Sequence, residues 1–424
     1  MAGFSPDKPH HFYGLMPRWI SLPALARVHR LLPGRLFLAG MAIMLLLPFG
    51  ATLWHPHLLL VQPVDEHRTP APFPAPSLLR EGDGAFAAQL NKWFDDRVGV
   101  RDLFIRMKNQ IDYSVFATSR RVYLGSDGWL FDRERTDDRF NLERLNDRDF
   151  SIVEGSFHRL AEMLAERGVH LVLVGYPDKA MIYREHLPAD APPPPHGGNL
   201  DRLRASFASD PSITFIDVEK MLLPLKSGTP LFYRTDLHPT LRATVEVVRE
   251  IVSRIAAAER RPEIAWRENF QWRPVRYTQG GEARFLALLR PLDEDVSTAA
   301  PLDVVGDSEP DGRWVLDQRQ VDYSFGPSPI FRWDFESAPD HCAGRLPGAM
   351  LWGNSFSDTY ESIWLPHYFC FMRRAKTPIE RLPRFIADMP AGTRYFIFQF
   401  VDTYLPCEAP LIGEKLSVSY SCIM

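Results

Sequence analysis

The sequence is poor in cysteine and nearly balanced in charge, and each shortage excludes a class of protein. Its four cysteines include no CxxC pair, so a metal knuckle is not expected. Forty-nine basic and 53 acidic side chains leave a net charge of −4, so no broad positive field is available to bind nucleic acid. No spacing of histidines, cysteines and acids suggests a metal site. We therefore expect no metal, no other cofactor and no nucleic acid.

Charged residues are also missing from one long apolar run, residues 36–54, which read LFLAGMAIMLLLPFGATLW. Nineteen residues at helical rise cover about 28 Å, close to a bilayer core of about 30 Å. Residues 1–35 carry five Lys or Arg side chains and one acid, and such positive flanks remain in the cytoplasm. We expect an uncleaved single-pass anchor with the bulk of the chain outside the cytoplasm. A cleaved signal peptide and a buried core helix are the alternatives.

Proline is concentrated in the segment that follows the apolar run. Residues 55–83 contain five prolines between 63 and 76, which favour extended chain and predict a stiff linker to the domain at 84–424. An oxidising location would allow disulfides, and four cysteines permit three connectivities. We expect a Cys407–Cys422 pair, because both cysteines follow the last predicted strand and are close in sequence.

Hydrophobic periodicity in residues 84–424 predicts an α/β domain. Apolar residues recur at helical spacing in three segments, and short apolar runs of strand type alternate with them. The predicted helices are 84–118 with a break near Gly99, 149–167 and 240–258; the predicted strands are a hairpin at 122–131 and buried runs at 170–175, 214–218, 349–352 and 395–401. This alternation predicts a mainly parallel sheet with ligands beyond the carboxyl ends of its strands. The polar interval 260–345 has only short strand-like pieces and is interpreted as an insertion or small subdomain.

Two short stretches carry residues suited to nucleophilic catalysis. In Leu351-Trp352-Gly353-Asn354-Ser355 an apolar strand ends at a glycine, which places the Ser355 hydroxyl at the carboxyl edge of the sheet. In Asp236-Leu237-His238 an acid and a histidine lie two residues apart, so their side chains share a face of extended chain. An imidazole held in this way can take the serine proton and return it to a leaving group.

A second serine competes for the role of nucleophile. Gly306-Asp307-Ser308 lies within the polar insertion and is followed by a turn with two acids, which would raise the cost of an oxyanion there. We favour Ser355, because residues 356–365 can begin a helix and the N-terminus of a helix favours developing negative charge. By pattern alone, however, each stretch is more often an ordinary loop or turn than a catalytic element.

Four blocks in this order, VYLGSDGWLF, VLVGYPDKAMIYREHLP, YRTDLHPTLRA and LWGNSFSDTYES, resemble the SGNH hydrolase-like domain of the alginate O-acetyltransferase AlgJ/AlgX family. The resemblance covers about residues 84–405. In that family the third block usually reads DTHW or DxH and the fourth GDSFS. Ordinary SGNH hydrolases place the serine early, whereas the order here is acid, histidine, serine, as in the permuted acetyltransferase branch. The chain ends soon after the strand at 395–401, so we expect no carbohydrate-binding module of the AlgX type and a protein closer to AlgJ.

The resemblance implies an O-acetyltransferase with a Ser355–His238–Asp236 triad and an acetyl-serine intermediate. It implies an exopolysaccharide acceptor, alginate or a related polymer, and a multi-pass membrane acyltransferase that supplies acetyl. It also implies a bacterial inner-membrane anchor with the catalytic domain in the periplasm.

Two positions depart from the family pattern, and three others are candidate substrate contacts. Asn354 stands where Asp is usual and is expected to shape the turn or the oxyanion region, so activity should survive. Pro239 stands where Trp is common, and we expect this difference to alter the acceptor pocket. Tyr233, Arg234 and Lys179 are candidate substrate contacts, as is Asn354 itself. A surface role is about as common for a lysine such as Lys179, and packing roles are more common for residues such as Tyr233 and Arg234.

Two rival functions fit the same residues. An acetyl esterase would use an identical triad and differ only in whether water or a sugar attacks the acyl-enzyme. A non-catalytic polysaccharide-binding or assembly protein on an inert SGNH-like scaffold is the other alternative, which Asn354 keeps open.

Overall fold

The protein is described by a computed structural model. The model describes residues 34–43, 71–79, 84–96, 101–137, 145–192, 198–266, 270–278, 280–301, 312–315, 331–337, 342–360, 365–376, 379–411 and 416–417, together with the single positions 46, 50 and 64. Two compact units are present, residues 1–106 and 107–424.

Helices and strands alternate along most of the chain after residue 84. The helices are α1 Ala85–Asp95, α2 Arg101–Phe116, α3 Arg133–Thr136, α4 Asp147–Ala165, α5 Lys179–Ile182, α6 Asn199–Phe207, α7 Val218–Leu222, α8 Leu241–Ala258, α9 Gly281–Leu286, α10 Leu382–Ala387 and α11 Leu405–Glu408. The strands are β1 Val122–Leu124, β2 Leu130–Asp132, β3 His170–Tyr176, β4 Ile213–Asp217, β5 Phe270–Thr278, β6 Asp293–Pro301, β7 Gly312–Val315, β8 Phe331–Ser337, β9 Gly348–Trp352, β10 Phe371–Lys376 and β11 Thr393–Val401.

Seven of these strands form one mainly parallel sheet in the order β4-β3-β11-β9-β10-β8-β7. The five strands from β4 to β10 are mutually parallel, whereas β8 runs antiparallel to β10 and β7 antiparallel to β8. The carboxyl ends of β3, β9 and β11 therefore lie side by side at one edge. This arrangement confirms the predicted α/β fold with a mainly parallel sheet.

Apolar side chains cover both faces of the sheet because successive residues of a strand point to opposite sides. On β3, Val172 and Val174 pack in one core, and Leu171 and Leu173 in the other. The first core is covered by α8, whose apolar residues recur at three- and four-residue spacing. Helices α4, α6 and α10 cover the second core. Helices on both faces leave the strand ends as the place where loops can assemble a site.

The interval 260–345 was predicted to be an insertion, but it supplies strands to the main sheet as well as a hairpin of its own. Its strands β5 and β6 pair antiparallel over nine residues, and β7 and β8 extend the main sheet. Local polarity concealed these strands, because a hairpin or an edge strand needs one apolar face or none.

The predicted hairpin at 122–131 is confirmed by the antiparallel pairing of β1 with β2. The helix predicted after Ser355 is wrong for the residues described there. Ser355–Ser357 form a single 3₁₀ turn followed by further turn residues, and residues 361–364 lie outside the described part of the chain. The argument from a helix dipole therefore does not hold at this serine.

Much of the predicted membrane segment 36–54 lies outside the described residues; those described in it, 36–43, 46 and 50, are helical. Within the ranges given above, no helix is both long and apolar enough to cross a bilayer. The anchor therefore stays a prediction, and so does most of the 55–83 linker.

Cysteines pair in the part of the second unit that precedes β10. A disulfide joins Cys342 to Cys370. The two segments that carry these cysteines are also linked by the backbone bridge between Leu346 and Phe369. Cys407 is disulfide-bonded too, while Cys422 lies outside the described residues, so the Cys407–Cys422 pair stays a prediction.

Candidate active site

Strand β9 ends at the turn that carries Ser355. Gly353 is required there by close packing rather than by an unusual backbone angle. A Cβ at this position would lie 2.5 Å from Ser357 Oγ and 2.8 Å from Gln399 Oε1, closer than van der Waals contact allows. Ser355 follows directly and is half-buried. The missing side chain thus lets the turn press against the neighbouring strand β11.

Asp236 and His238 lie on a loop that is closed at its base. Phe232 and Pro239 form an isolated antiparallel bridge, in which the Tyr233 N–H donates to the His238 carbonyl at 3.2 Å. Because the bridge joins the two ends of the segment, residues 233–238 form a short closed loop. Pro239 closes the loop, and α8 begins two residues later at Leu241.

The structure brings Asp236, His238 and Ser355 together, with the imidazole between the carboxylate and the hydroxyl. Asp236 Oδ1 lies 2.6 Å from His238 Nδ1, and His238 Nε2 lies 2.8 Å from Ser355 Oγ. The Asp236 side chain is 5% exposed and that of His238 33% exposed, so the acid is enclosed while the imidazole remains accessible. This is the geometry in which a base removes the serine proton and a carboxylate holds the base in its tautomer.

Four donors hold the Asp236 carboxylate. Oδ1 also accepts the His238 backbone N–H at 3.0 Å, and Oδ2 accepts the Tyr277 hydroxyl and the Gly281 N–H, each at 2.7 Å. Burial by itself raises the pKa of Asp236, but the hydrogen bonds and charge of His238, together with Tyr277 and Gly281, outweigh it and hold the pKa well below its usual range. Asp236 is therefore ionised at any physiological pH.

Lys179 lies behind this loop, which corrects its prediction as a substrate contact. It is 2% exposed, and its Nζ donates to the Asp236 carbonyl and to Glu282 Oε1, both at 2.9 Å, and to the Tyr233 carbonyl at 3.3 Å. An ammonium enclosed by such acceptors cannot reach a substrate. Burial raises the pKa of Glu282 to about 8, against the opposing effect of Lys179. Lys179 and Glu282 thus support the loop from within the protein.

The other three predicted substrate contacts, Tyr233, Arg234 and Asn354, differ in how exposed they are. Arg234 is exposed, and its backbone N–H and that of Thr235 donate to the Glu294 carboxylate at 3.0 and 2.9 Å. Tyr233 is half-buried and stacks on Tyr277 with ring centres 4.2 Å apart. Tyr233 and Arg234 thus lie on the same loop as Asp236 and His238, and the Arg234 side chain is open to solvent. Asn354 uses both ends of its side chain within the protein and so shapes the turn rather than facing a substrate.

A donor for a developing oxyanion is present beside the serine. The Ser355 backbone N–H donates to no group in the described part of the chain, whereas the flanking Asn354 and Phe356 N–H groups are both bonded to side-chain oxygens. A free amide adjacent to the nucleophile is the minimal element of an oxyanion hole.

Tyr277, Gly281, Glu282 and Glu294 were not singled out from the sequence. All four come from the interval interpreted as an insertion, and for the first three the glycine pair in Tyr277-Thr278-Gln279-Gly280-Gly281-Glu282 was the available signal. Among the described residues, no group of three or more His, Cys, Asp or Glu side chains is arranged so that it could hold a metal ion.

A mainly parallel α/β sheet with a serine at a strand end, faced by a histidine and an acid, defines an SGNH hydrolase-like domain. The family model described as "SGNH hydrolase-like domain, acetyltransferase AlgX" matches residues 122–309. The probable alginate O-acetylase AlgJ of Pseudomonas fluorescens is 26% identical over 179 residues, 41% of this chain and 43% of that protein. The protein of the same name from Pseudomonas aeruginosa is 30% identical over 160 residues, 37% of this chain and 39% of that protein.

These matches span about two fifths of the length of the curated relatives. Among solved structures, the O-acetyltransferase domain of Pseudomonas putida AlgJ is similar at 18% identity and a TM-score of 0.42, over 67% of this chain and 92% of that one. The family-model match and the curated relatives agree: residues 122–309 are similar to the acetyltransferase domain of AlgX, and the curated relatives to which the chain is similar are AlgJ proteins.

Proposed function

We propose that this protein is an O-acetyltransferase that carries acetyl on Ser355 and transfers it to hydroxyls of an exopolysaccharide. One observation supports it above the others: His238 contacts the Asp236 carboxylate with Nδ1 and the Ser355 hydroxyl with Nε2. The acid is enclosed and ionised, and the imidazole is open to solvent on one side. A serine activated in this way is suited to acyl transfer.

The reaction proceeds in two half-reactions that balance without any redox step. In the first, His238 Nε2 takes the Ser355 proton, Oγ attacks the acetyl carbonyl, and the donor's oxygen leaves with that proton. In the second, His238 takes a proton from an acceptor hydroxyl, whose oxygen attacks the acetyl-serine, and the proton returns to Ser355 Oγ. The Ser355 N–H stabilises the tetrahedral oxyanion in both halves.

Two observations suggest which acceptor receives the acetyl group: the names of the curated relatives and the residues on the loop beside the site. The curated relatives are named probable alginate O-acetylases, and alginate or a related polymer is therefore the first acceptor to test. Tyr233 and Arg234 precede Asp236 on the same loop, and the exposed cationic side chain of Arg234 would attract an anionic sugar. The acetyl donor would be a multi-pass membrane acyltransferase. The proposed setting is the periplasmic face of a bacterial inner membrane, with residues 36–54 as anchor.

The proposal is tested in two stages on the protein comprising residues 84–424. Phenylmethylsulfonyl fluoride should label Ser355, as located by peptide mass spectrometry. With an activated acetyl ester as donor, the protein should then acetylate oligomannuronate faster than it releases free acetate.

Two results would replace the proposal by one of its rivals. Release of acetate at the same rate with and without oligosaccharide would make the protein an esterase. Absence of both labelling and turnover, with oligosaccharide binding retained, would make it a non-catalytic binding protein.

A further inference from the structure

The turn that carries Ser355 is held by a chain of hydrogen bonds that begins and ends at backbone N–H groups. The Phe356 N–H donates to Asn354 Oδ1 at 2.9 Å, and Asn354 Nδ2 donates to Glu408 Oε1 at 2.6 Å. Glu408 Oε2 accepts the Val401 N–H at 2.9 Å. Val401 ends β11 and Glu408 ends α11, so the chain ties the nucleophile turn after β9 to the end of the adjacent strand.

The two ends of this chain decide which side chains can occupy its middle. Both backbone groups are donors, so residue 354 and residue 408 must each present an acceptor to them. The contact between the two side chains then needs one donor and one acceptor. Asn354 with Glu408 satisfies this requirement, with the amide as donor. An acid at both positions places two acceptors together, and an amide at both positions places two donors together.

The position of the chain links it to Ser355. Asn354 precedes the serine, and its own N–H donates to Gln399 Oε1 at 3.0 Å, while its carbonyl accepts the Ser357 hydroxyl at 2.9 Å. Residue 354 is therefore held by hydrogen bonds at its backbone N–H, its carbonyl and its side chain. Loss of the hydrogen bonds made by the Asn354 side chain would free the turn to shift, which would move the Ser355 N–H and Oγ relative to His238 Nε2.

Glu408 itself is enclosed. It is 8% exposed, and burial raises its pKa to about 7 while the bonds from Asn354 and the Val401 N–H oppose that rise. The positive charge of Arg135 on α3 also acts on Glu408 and lowers its pKa. A buried carboxylate of this kind is stable when both oxygens are bonded to donors.

We propose that Glu408 is a positioning residue for the nucleophile, acting through Asn354, and that the two residues form an obligate amide–carboxylate pair. The inference rests on the proposed function only for its kinetic consequence. The pairing itself is a statement about hydrogen-bond polarity, which can be reversed: Asp at 354 with Gln at 408 restores every bond, since the Gln amide then donates to the Asp.

The experiment compares the wild type with Asn354→Asp, Glu408→Gln and the double exchange N354D/E408Q. The rate at which phenylmethylsulfonyl fluoride labels Ser355 is measured from pH 5.5 to 8.5 and divided by the wild-type rate at each pH. N354D should lose roughly ten- to a hundredfold at pH 8.5 and recover as the pH falls, because two facing carboxylates can share one proton. E408Q should lose a similar factor at every pH, because no proton can relieve two facing amides.

The double exchange is the decisive protein. Its labelling rate should return to within about threefold of the wild type over the whole pH range. Gln271→Glu, which adds a negative charge at an exposed position of β5, is the control for charge alone and should label like the wild type. A double variant as slow as the product of the two single losses would overturn the inference, as would N354D with a flat pH profile.

The same four proteins separate this inference from the proposed function. If wild-type Ser355 is not labelled, the proposed function fails, and the pairing is judged by urea unfolding. Both single variants should then unfold at lower urea than the wild type, and the double variant should regain most of the loss. Additive losses in unfolding would overturn the pairing whatever the chemistry of Ser355.

Discussion

At the residue scale, His238 is the side chain on which the proposed chemistry depends, because both of its ring nitrogens are engaged. Nδ1 faces an enclosed carboxylate and Nε2 faces a hydroxyl. The Phe356 ring lies beside the imidazole, with centres 5.3 Å apart. These contacts leave the imidazole little freedom to turn, so the proton path does not have to be assembled during the reaction.

Ser355→Ala, His238→Ala and Asp236→Ala should each lower acetyl transfer by about a thousandfold or more without unfolding the protein. Because triad members act as a unit, a double variant should lose little more than the worse single one. The measurement is acetyl transfer rate, with circular dichroism to establish folding. The Gly306-Asp307-Ser308 triplet supplies the control: Ser308→Ala should transfer like the parent. Ser308 lies outside the described residues, and normal transfer by Ser355→Ala with loss in Ser308→Ala would reverse the assignment.

Tyr277→Phe should destabilise the protein by about 1–2 kcal/mol at pH 7, because it removes a donor from the ionised Asp236. The pKa of Asp236 is depressed in the folded state, so its stabilising contribution is present above the unfolded value of about 4 and is lost as the pH falls through the folded value. The difference between variant and parent should therefore shrink below about pH 4. Urea unfolding at pH 7 and below pH 4 measures it.

Tyr233→Phe is the matched control for that variant. Its ring stacks on Tyr277, but its hydroxyl has no hydrogen-bond partner among the residues the structure describes. The Phe substitution at 233 should therefore leave the unfolding free energy and its pH dependence unchanged. Equal effects of the two substitutions would mean that stacking, rather than the bond to Asp236, is what stabilises the site.

At the element scale, the loop 231–240 is shaped by segments distant in sequence. The Leu130 N–H of β2 donates to the Arg234 carbonyl at 2.9 Å, and the Ala283 N–H of α9 donates to the Thr235 carbonyl at 3.1 Å. A Cβ on Gly280 would lie 2.4 Å from the Thr235 carbonyl oxygen, so this approach requires glycine. The hairpin β1–β2 and the 260–345 interval thus position the acid and the histidine.

The disulfide is a second feature at this scale, since it joins the segment before β9 to the residue before β10. Replacing both Cys342 and Cys370 by Ser should lower the free energy of unfolding by about 2–4 kcal/mol, because the open chain gains entropy when 28 residues of separation are no longer closed. Urea unfolding of oxidised parent and double variant measures this. Ser355 lies at the opposite end of β9, so labelling of Ser355 at 25 °C should be little changed. An unchanged unfolding free energy would contradict the prediction.

At the scale of the whole molecule, the sequence predicts on which side of the membrane the domain lies. The basic stretch before residue 36 predicts an N-terminus in the cytoplasm and a domain outside it. Alkaline phosphatase fused after Met424 should be active, and a green fluorescent protein that folds only in the cytoplasm should be dark at the same position. The opposite pair of results would contradict this topology. The Cys342–Cys370 disulfide is compatible with an oxidising location.

Much of the architecture follows from the sequence because burial on one or both faces leaves a repeat of two or of 3.6 residues. The runs at 170–175 and 395–401 predicted β3 and β11, and the spacing of apolar residues in 240–258 predicted α8. The acid–histidine spacing and the serine after a strand identified the three residues that the structure brings together. These are local properties, readable without knowing the neighbours of a segment.

Only the tertiary structure decided what surrounds those three residues. Lys179 looked like a surface lysine or a substrate contact, and it is buried because α5 packs beneath the 231–240 loop. Tyr277 and Glu282 lie in a polar interval whose periodicity is weak, and Glu408 faces Asn354 because β11 and β9 are adjacent in the sheet. Contacts between segments 40 to more than 100 residues apart depend on strand order, which no local pattern of apolar residues encodes.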